Sequence, residues 1–102
     1  MLYTTETIDI DLSKNGAYLL YDSNKVSSAL DRQLLLYARN WSNKSNEIKL
    51  LINNLLTSTT IERYSTSQLI TWFRINDDVK SIWIISQRKC HVIGYWSITR
   101  EE

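Results

Sequence analysis

The chain holds one cysteine and one histidine, and they are neighbours, Cys90-His91. A cysteine nucleophile needs a base within hydrogen-bond reach, and Cys–His enzymes assemble that pair from distant parts of the sequence. Adjacent residues on a strand point to opposite faces, so Cys90 and His91 do not make such a pair. Their expected roles are a small apolar thiol and a hydrogen-bonded imidazole close to a turn. One Cys and one His also fall short of the ligands of a structural zinc site. No P-loop, G-x-G-x-x-G, HExxH or G-x-S-x-G pattern is present, and two glycines cannot build a glycine-rich phosphate loop. The sequence therefore reads as non-enzymatic and without a cofactor.

Three carboxylates form the nearest thing to a metal site. TIDIDL over 7–12 alternates strictly, the pattern of a strand with one wet face. Asn15-Gly16 follows, a strong signal for a two-residue hairpin turn. The hairpin register sets Leu12 opposite Leu19, Ile10 opposite Tyr21, and Asp9 opposite Asp22. Asp9, Asp11 and Asp22 then share one face, where opposed like charges repel. A hard cation bound through oxygen would relieve this, but a full site needs about six oxygen ligands. A solvated acidic edge that discourages strand aggregation is the preferred reading, and no metal is expected.

The aromatic residues carry the main functional expectation. KSIWIIS over 80–86 and HVIGYWSIT over 91–99 read as two strands joined by 87–90 into a hairpin. Ile82 and Ile84 point one way, Trp83 and Ile85 the other. Val92, Trp96 and Ile98 oppose Ile93 and Tyr95. Neither face is polar, whereas a sheet with one wet face should alternate. An uncovered face bearing Trp83, Tyr95 and Trp96, with Trp72 or Trp41 at a groove edge, suits a peptide, a protein partner or a second copy of the chain. The first functional reading is thus a small protein-interaction module. Gly94 marks either a bulge or a close approach by another group.

The alternative is a nucleic-acid-binding accessory protein using Arg63, Arg74, Arg88 and Lys89. Arg63 adjoins Tyr64, Arg74 follows Trp72-Phe73, and Arg88-Lys89 sits at the hairpin tip, so aromatics lie among the cations. The net charge of +1 supplies no basic excess, which makes nucleic acid the second choice.

The elements between the hairpins read as three helices. Ser28 caps a helix over 29–41, with Leu30, Leu34, Tyr37, Ala38 and Trp41 on one stripe. Ser45 caps a second over 46–56, where Ile48, Leu51, Ile52, Leu55 and Leu56 keep helical spacing. Ser65-Thr66-Ser67-Gln68 is a capping box opening QLITWFRI. That segment matches QLLLYARN at 33–40, with Gln33 on Gln68, Leu34 on Leu69 and Arg39 on Arg74. A two-motif pseudo-repeat would explain the match and would require a strand over 48–52. Shared helical periodicity is the preferred explanation. The expected fold class is α+β: two β-hairpins flanking three helices, the antiparallel sheet packed on the helices, in one domain over 1–102.

The bulk numbers fit this picture. At 102 residues, folding buries roughly 60–70% of the surface exposed by the unfolded chain. Apolar residues make up 43% and charged residues 23%, ordinary for a globular protein. A single cysteine excludes an internal disulfide. The start, MLYTTETIDID, lacks the features of a signal peptide, and no apolar run is long enough to span a membrane. A cytoplasmic protein without membrane contact is expected. The absence of proline, with abundant Asn, Ser, Thr, Ile and Tyr, matches an AT-rich genome such as that of a phage.

Overall fold

The computed structural model describes the backbone of residues 2–26 and 31–100 and the side chains of 4–26 and 31–99. Among these residues there are eight strands and no α-helix. The strands are β1 (Leu2–Leu12), β2 (Ala17–Asp22), β3 (Asp31–Arg39), β4 (Asn46–Ile52), β5 (Leu55–Ile61), β6 (Thr66–Ile75), β7 (Ser81–Ser86) and β8 (Cys90–Arg100). One 3-10 turn, Ser23–Lys25, begins where Asp22 accepts a hydrogen bond from the Asn24 amide.

The strands form two antiparallel sheets. Sheet A has the order β1-β8-β3-β6, and sheet B has the order β2-β7-β4-β5. The chain changes sheet at every connection except β4–β5, which is a hairpin. Eight strands in this order make a jelly roll, a double-sheet sandwich of two Greek keys.

The expected α+β class is overturned, because each of the three expected helices is a strand. Residues 31–39, 46–52 and 66–75 are β3, β4 and β6. The expected Ser28 cap and Leu30 lie outside the described residues. The misreading has a physical cause. Short apolar runs satisfy a period of 2 and a period of 3.6 equally well. In β3 the alternation is Leu34, Leu36 and Ala38 inward, with Leu35 and Tyr37 outward. In β4 it is Asn46, Ile48 and Leu50 inward. The β8 strand needs hydrogen-bonding partners on both sides, and β7 likewise, and these segments supply them.

Both expected hairpins are also absent. The strands β1 and β2 belong to different sheets, as do β7 and β8. Asn15 does take a left-handed conformation, φ 57°. The turn it makes redirects the chain from sheet A to sheet B rather than pairing its flanks. Asp9 therefore lies opposite Ile93, and Asp22 opposite Ser81. The hairpin that exists turns at Asn53, φ 55°, inside the expected second helix. Its side chain is anchored across the fold, donating to the Asp78 carbonyl and accepting from the Lys80 amide. Asn tolerates this conformation better than any other residue present there.

The core lies between the inner faces. Leu34, Leu36, Ala38 and Val92 from sheet A and Ile48, Ile82 and Ile84 from sheet B are fully buried. Trp96 is also inside, 9% exposed, with its ring centroid 6.0 Å from that of Tyr21. The matched segments at 33–40 and 68–75 are antiparallel neighbours in sheet A, with Leu34 opposite Phe73. Their likeness marks two strands that face one core, not two capped helices.

Candidate functional site

Four connections converge at one end of the sandwich: 13–16, 40–45, 62–65 and 87–89. Backbone hydrogen bonds tie them together, from Asn15 N to Gln87 O, Tyr64 N to Ser42 O and Asn40 N to Ser65 O. Two buried asparagines set their shapes. Asn40, 1% exposed, donates through Nδ2 to the carbonyls of Lys44, Ile61 and Glu62, and accepts the Ser42 amide at Oδ1. Asn46, fully buried, donates to Ser86 Oγ and accepts the Arg88 amide at 2.8 Å. The Arg88 Nε donates to the Ser45 carbonyl at 3.0 Å, which fixes the plane of its guanidinium. Buried amides with every polar atom engaged hold a loop in one conformation, because any other arrangement strands a polar group.

These loops enclose an open cavity of about 460 Å³ lined by Asp11, Lys14, Trp41, Ser42, Arg88, Lys89, Cys90 and His91. Trp41 and Tyr64 are each 65% exposed at this end. Ion pairs among the described residues join Glu47 to Lys49, Asp31 to Arg74 and Asp9 to His91. None of them involves Lys14, Arg88 or Lys89.

The structure thus gathers residues that the sequence placed in separate proposals. Trp41, Arg63, Arg88 and Lys89 come to one end. Arg74 does not join them. It lies on the outer face of sheet A in a two-point bond with Asp31, Nε to Oδ1 at 3.0 Å and Nη2 to Oδ2 at 2.6 Å. This guanidinium lowers the Asp31 carboxyl from its ordinary value and is itself raised. Asp9 and Asp11 are on β1 and Asp22 is on β2, so the three carboxylates share no face. Among the described residues no group of three or more His, Cys, Asp or Glu stands ready to share an ion.

Cys90 and His91 point to opposite sides of β8. His91 Nε2 donates to Asp9 Oδ1 at 2.5 Å, and Cys90 is 2% exposed with its thiol donating to the Arg39 carbonyl. Burial pushes the Cys90 thiol up from its ordinary 9.0, partly offset by hydrogen bonding with Ser86, the Arg39 carbonyl and Asn46. A thiol so placed is protonated at neutral pH and poorly nucleophilic. In the folded protein, Cys90 is expected to react with iodoacetamide far more slowly than in the urea-unfolded chain, as followed by mass spectrometry. Equal rates would show that the thiol is not enclosed.

The remaining aromatic candidates divide between the two outer faces. Trp83, 36% exposed, lies on sheet B. It belongs to a row that crosses all four strands, Leu19 beside Trp83, Trp83 beside Leu51, and Leu51 beside Leu56. Leu56 is 52% exposed, and Ile85, two residues along β7 from Trp83, shares its face. Tyr95 and Trp72 lie on sheet A, near Leu35, Tyr37 and Ile93. Trp72 occupies a register shift in β6 with φ 38°, a strained value for a bulky residue. Trp96 is core and takes no part in a surface. The row residues Leu19, Leu51 and Leu56 were missed because two of them sit in the segment read as a helix. Asn40 and Asn46 give no sequence signal, since nothing local marks them as buried.

Fold and surface together define a jelly-roll β-sandwich with a structured loop end and apolar outer faces. No protein-family model matches the chain, and no curated protein matches it. A solved structure of Bacillus endospore appendages, described as a novel family of disulfide-linked pili, is similar in fold, with a TM-score of 0.54 and 9% sequence identity. The match covers 98% of this chain and 89% of that chain. At such identity the likeness shows the fold alone.

Proposed function

We propose that this protein is a non-enzymatic interaction subunit that associates with further copies of itself through the outer faces of its sheets. The observation that carries the reading is the apolar row Leu19–Trp83–Leu51–Leu56, which crosses sheet B from edge to edge. Strands about 4.8 Å apart make such a row roughly 14 Å long, and no described element packs over it. Contiguous exposed apolar surface of this kind marks interaction sites in soluble proteins.

Two further points favour a second copy as the partner. Sheet A presents a different apolar strip, with Tyr95 and Trp72, on the opposite side of the sandwich. Two unlike faces that meet head to tail generate rings or open chains of subunits rather than two-fold dimers. The similar Bacillus protein builds pili, which are assemblies of this open kind. Its disulfide linkage has no counterpart here in the folded state, because Cys90 is buried. Association in this protein rests on apolar contact.

Sedimentation velocity across a concentration series tests the reading. The protein is expected to form concentration-dependent oligomers, and Leu56→Asp or Trp83→Thr to return it to the monomer while preserving the far-ultraviolet circular dichroism. Replacing half-exposed Leu56 should change monomer stability by about 0.5 kcal/mol or less. A protein that stays monomeric up to roughly 1 mM would overturn the proposal.

A further inference from the structure

We propose that the loop-end cavity binds a nucleotide, with the base stacked on Trp41 and the phosphate held by Lys14, Arg88 and Lys89. The site is separate from the sheet faces and does not depend on self-association. Three cations and one carboxylate line the cavity, and none of the cations is within ion-pair distance of a carboxylate among the described residues. A phosphate monoester carries about −1.5 to −2 charge at neutral pH, which several convergent cations match better than a single peptide carboxylate does.

The loops that carry these side chains are also preorganised. The Arg88 guanidinium plane is fixed by its Nε bond to the Ser45 carbonyl, and the backbone beneath it by Asn46. An arginine held in one plane presents its remaining N–H groups as a fork suited to phosphate oxygens. Trp41 is carried on a loop whose backbone is held by Asn40, which fixes the point from which its exposed indole projects over the cavity. An aromatic face in a cationic groove is the device that proteins use to hold a base, and its stacking is tolerant of base identity. Asp11, the one acid in the lining, is placed to accept from an amino or hydroxyl group of the ligand. The cavity volume, about 460 Å³, lies within the usual range of roughly 300–1,000 Å³ for small-ligand sites.

The same chemistry is offered by a free nucleotide and by a unit of single-stranded nucleic acid, and the experiment separates them. Isothermal titration with adenosine 5′-monophosphate is run beside titration with a short oligothymidylate single strand, for the wild type and for Trp41→Ala and Lys89→Gln. Both positions are exposed, so both variants are expected to keep the wild-type circular dichroism. Loss of the indole should weaken binding roughly 5- to 150-fold, the range measured for single base-stacking contacts. For the strand, Lys89→Gln should make the slope of log affinity against log salt shallower by about 0.7. Equal affinity for the mononucleotide and the strand identifies a free nucleotide as ligand, and much tighter binding of the oligomer identifies the strand. Absence of binding by both probes, or binding that Trp41→Ala leaves unchanged, overturns the proposal.

Discussion

Gly94→Ala is expected to destabilise the sandwich by about 3 kcal/mol, the upper end of the range for overpacking a filled site. The reason is geometric. Gly94 sits in the middle of β8, between Ile8 of β1 and Leu36 of β3. A Cβ built there would lie 2.1 Å from the Leu35 carbonyl oxygen and 3.1 Å from Leu36 Cα. Both atoms are backbone, and no side-chain rotation relieves the overlap. The β3–β8 ladder must part locally, and β8 is the strand on which both β1 and β3 depend. A domain of this size has roughly 5–15 kcal/mol of stability in total, so the loss is a large fraction of it. Equilibrium urea denaturation measures the effect as a fall in midpoint. A change of less than about 0.5 kcal/mol, the scale of an ordinary surface substitution, would show that the strand has room to spare.

The second large effect is expected at Ile84. Ile84→Ala removes a fully buried side chain from the inner face of β7, with an expected cost of about 2–5 kcal/mol. The cost combines lost transfer energy with the cavity left between two sheets that are both tied by hydrogen bonds and cannot collapse freely. Its neighbour Trp83 faces the other way, and Trp83→Thr should act mainly on association. Measuring unfolding and sedimentation on both variants gives a test in which adjacent positions exchange roles. If Trp83→Thr instead unfolded the monomer as severely as Ile84→Ala, the outer face would be part of the core and the self-association reading would lose its basis.

That contrast is already written in the sequence. The opposite orientations of Trp83 and Ile84, and of Cys90 and His91, follow from the period of two along a strand. The alternative readings of Gly94 included a close approach by another group, which the structure identifies as the backbone of Leu35 and Leu36. Failure came where the same residues fitted two periods. Ile48, Leu51, Ile52, Leu55 and Leu56 satisfy helical spacing, yet they span β4, a tight turn and β5. A warning was present in QLITWFRI, where five of eight residues, Ile70, Thr71, Trp72, Phe73 and Ile75, are β-branched or aromatic and so favour strands. The capping pattern at Ser65–Gln68 outweighed it, although Ser and Thr serve turns as readily as helix caps.

The candidate sites were legible only as residue types. Arg88 and Lys89 stood out as a pair of basic residues at a hairpin tip, whereas Trp41 was placed on the apolar stripe of a helix or at a groove edge, and its 65% exposure on a loop emerged only from the fold. Their convergence was not legible, because it depends on Asn40 and Asn46 reaching across to distant loops, with Asn46 and Arg88 forty-two positions apart. The apolar row on sheet B likewise draws on four strands separated in the chain.

By itself the sequence determined the strand character of β1, β7 and β8, the division of their side chains between two faces, and the lack of any internal disulfide. The tertiary structure alone decided which strands pair. Leu2 lies opposite Arg100, and Thr7 opposite Tyr95. A strand's partner is chosen by hydrogen bonds and packing with residues far away along the chain, whereas local pattern reports only which face is apolar. Local pattern therefore marks some strands singly and leaves others open to a helical reading, and the sandwich exists only through their pairing.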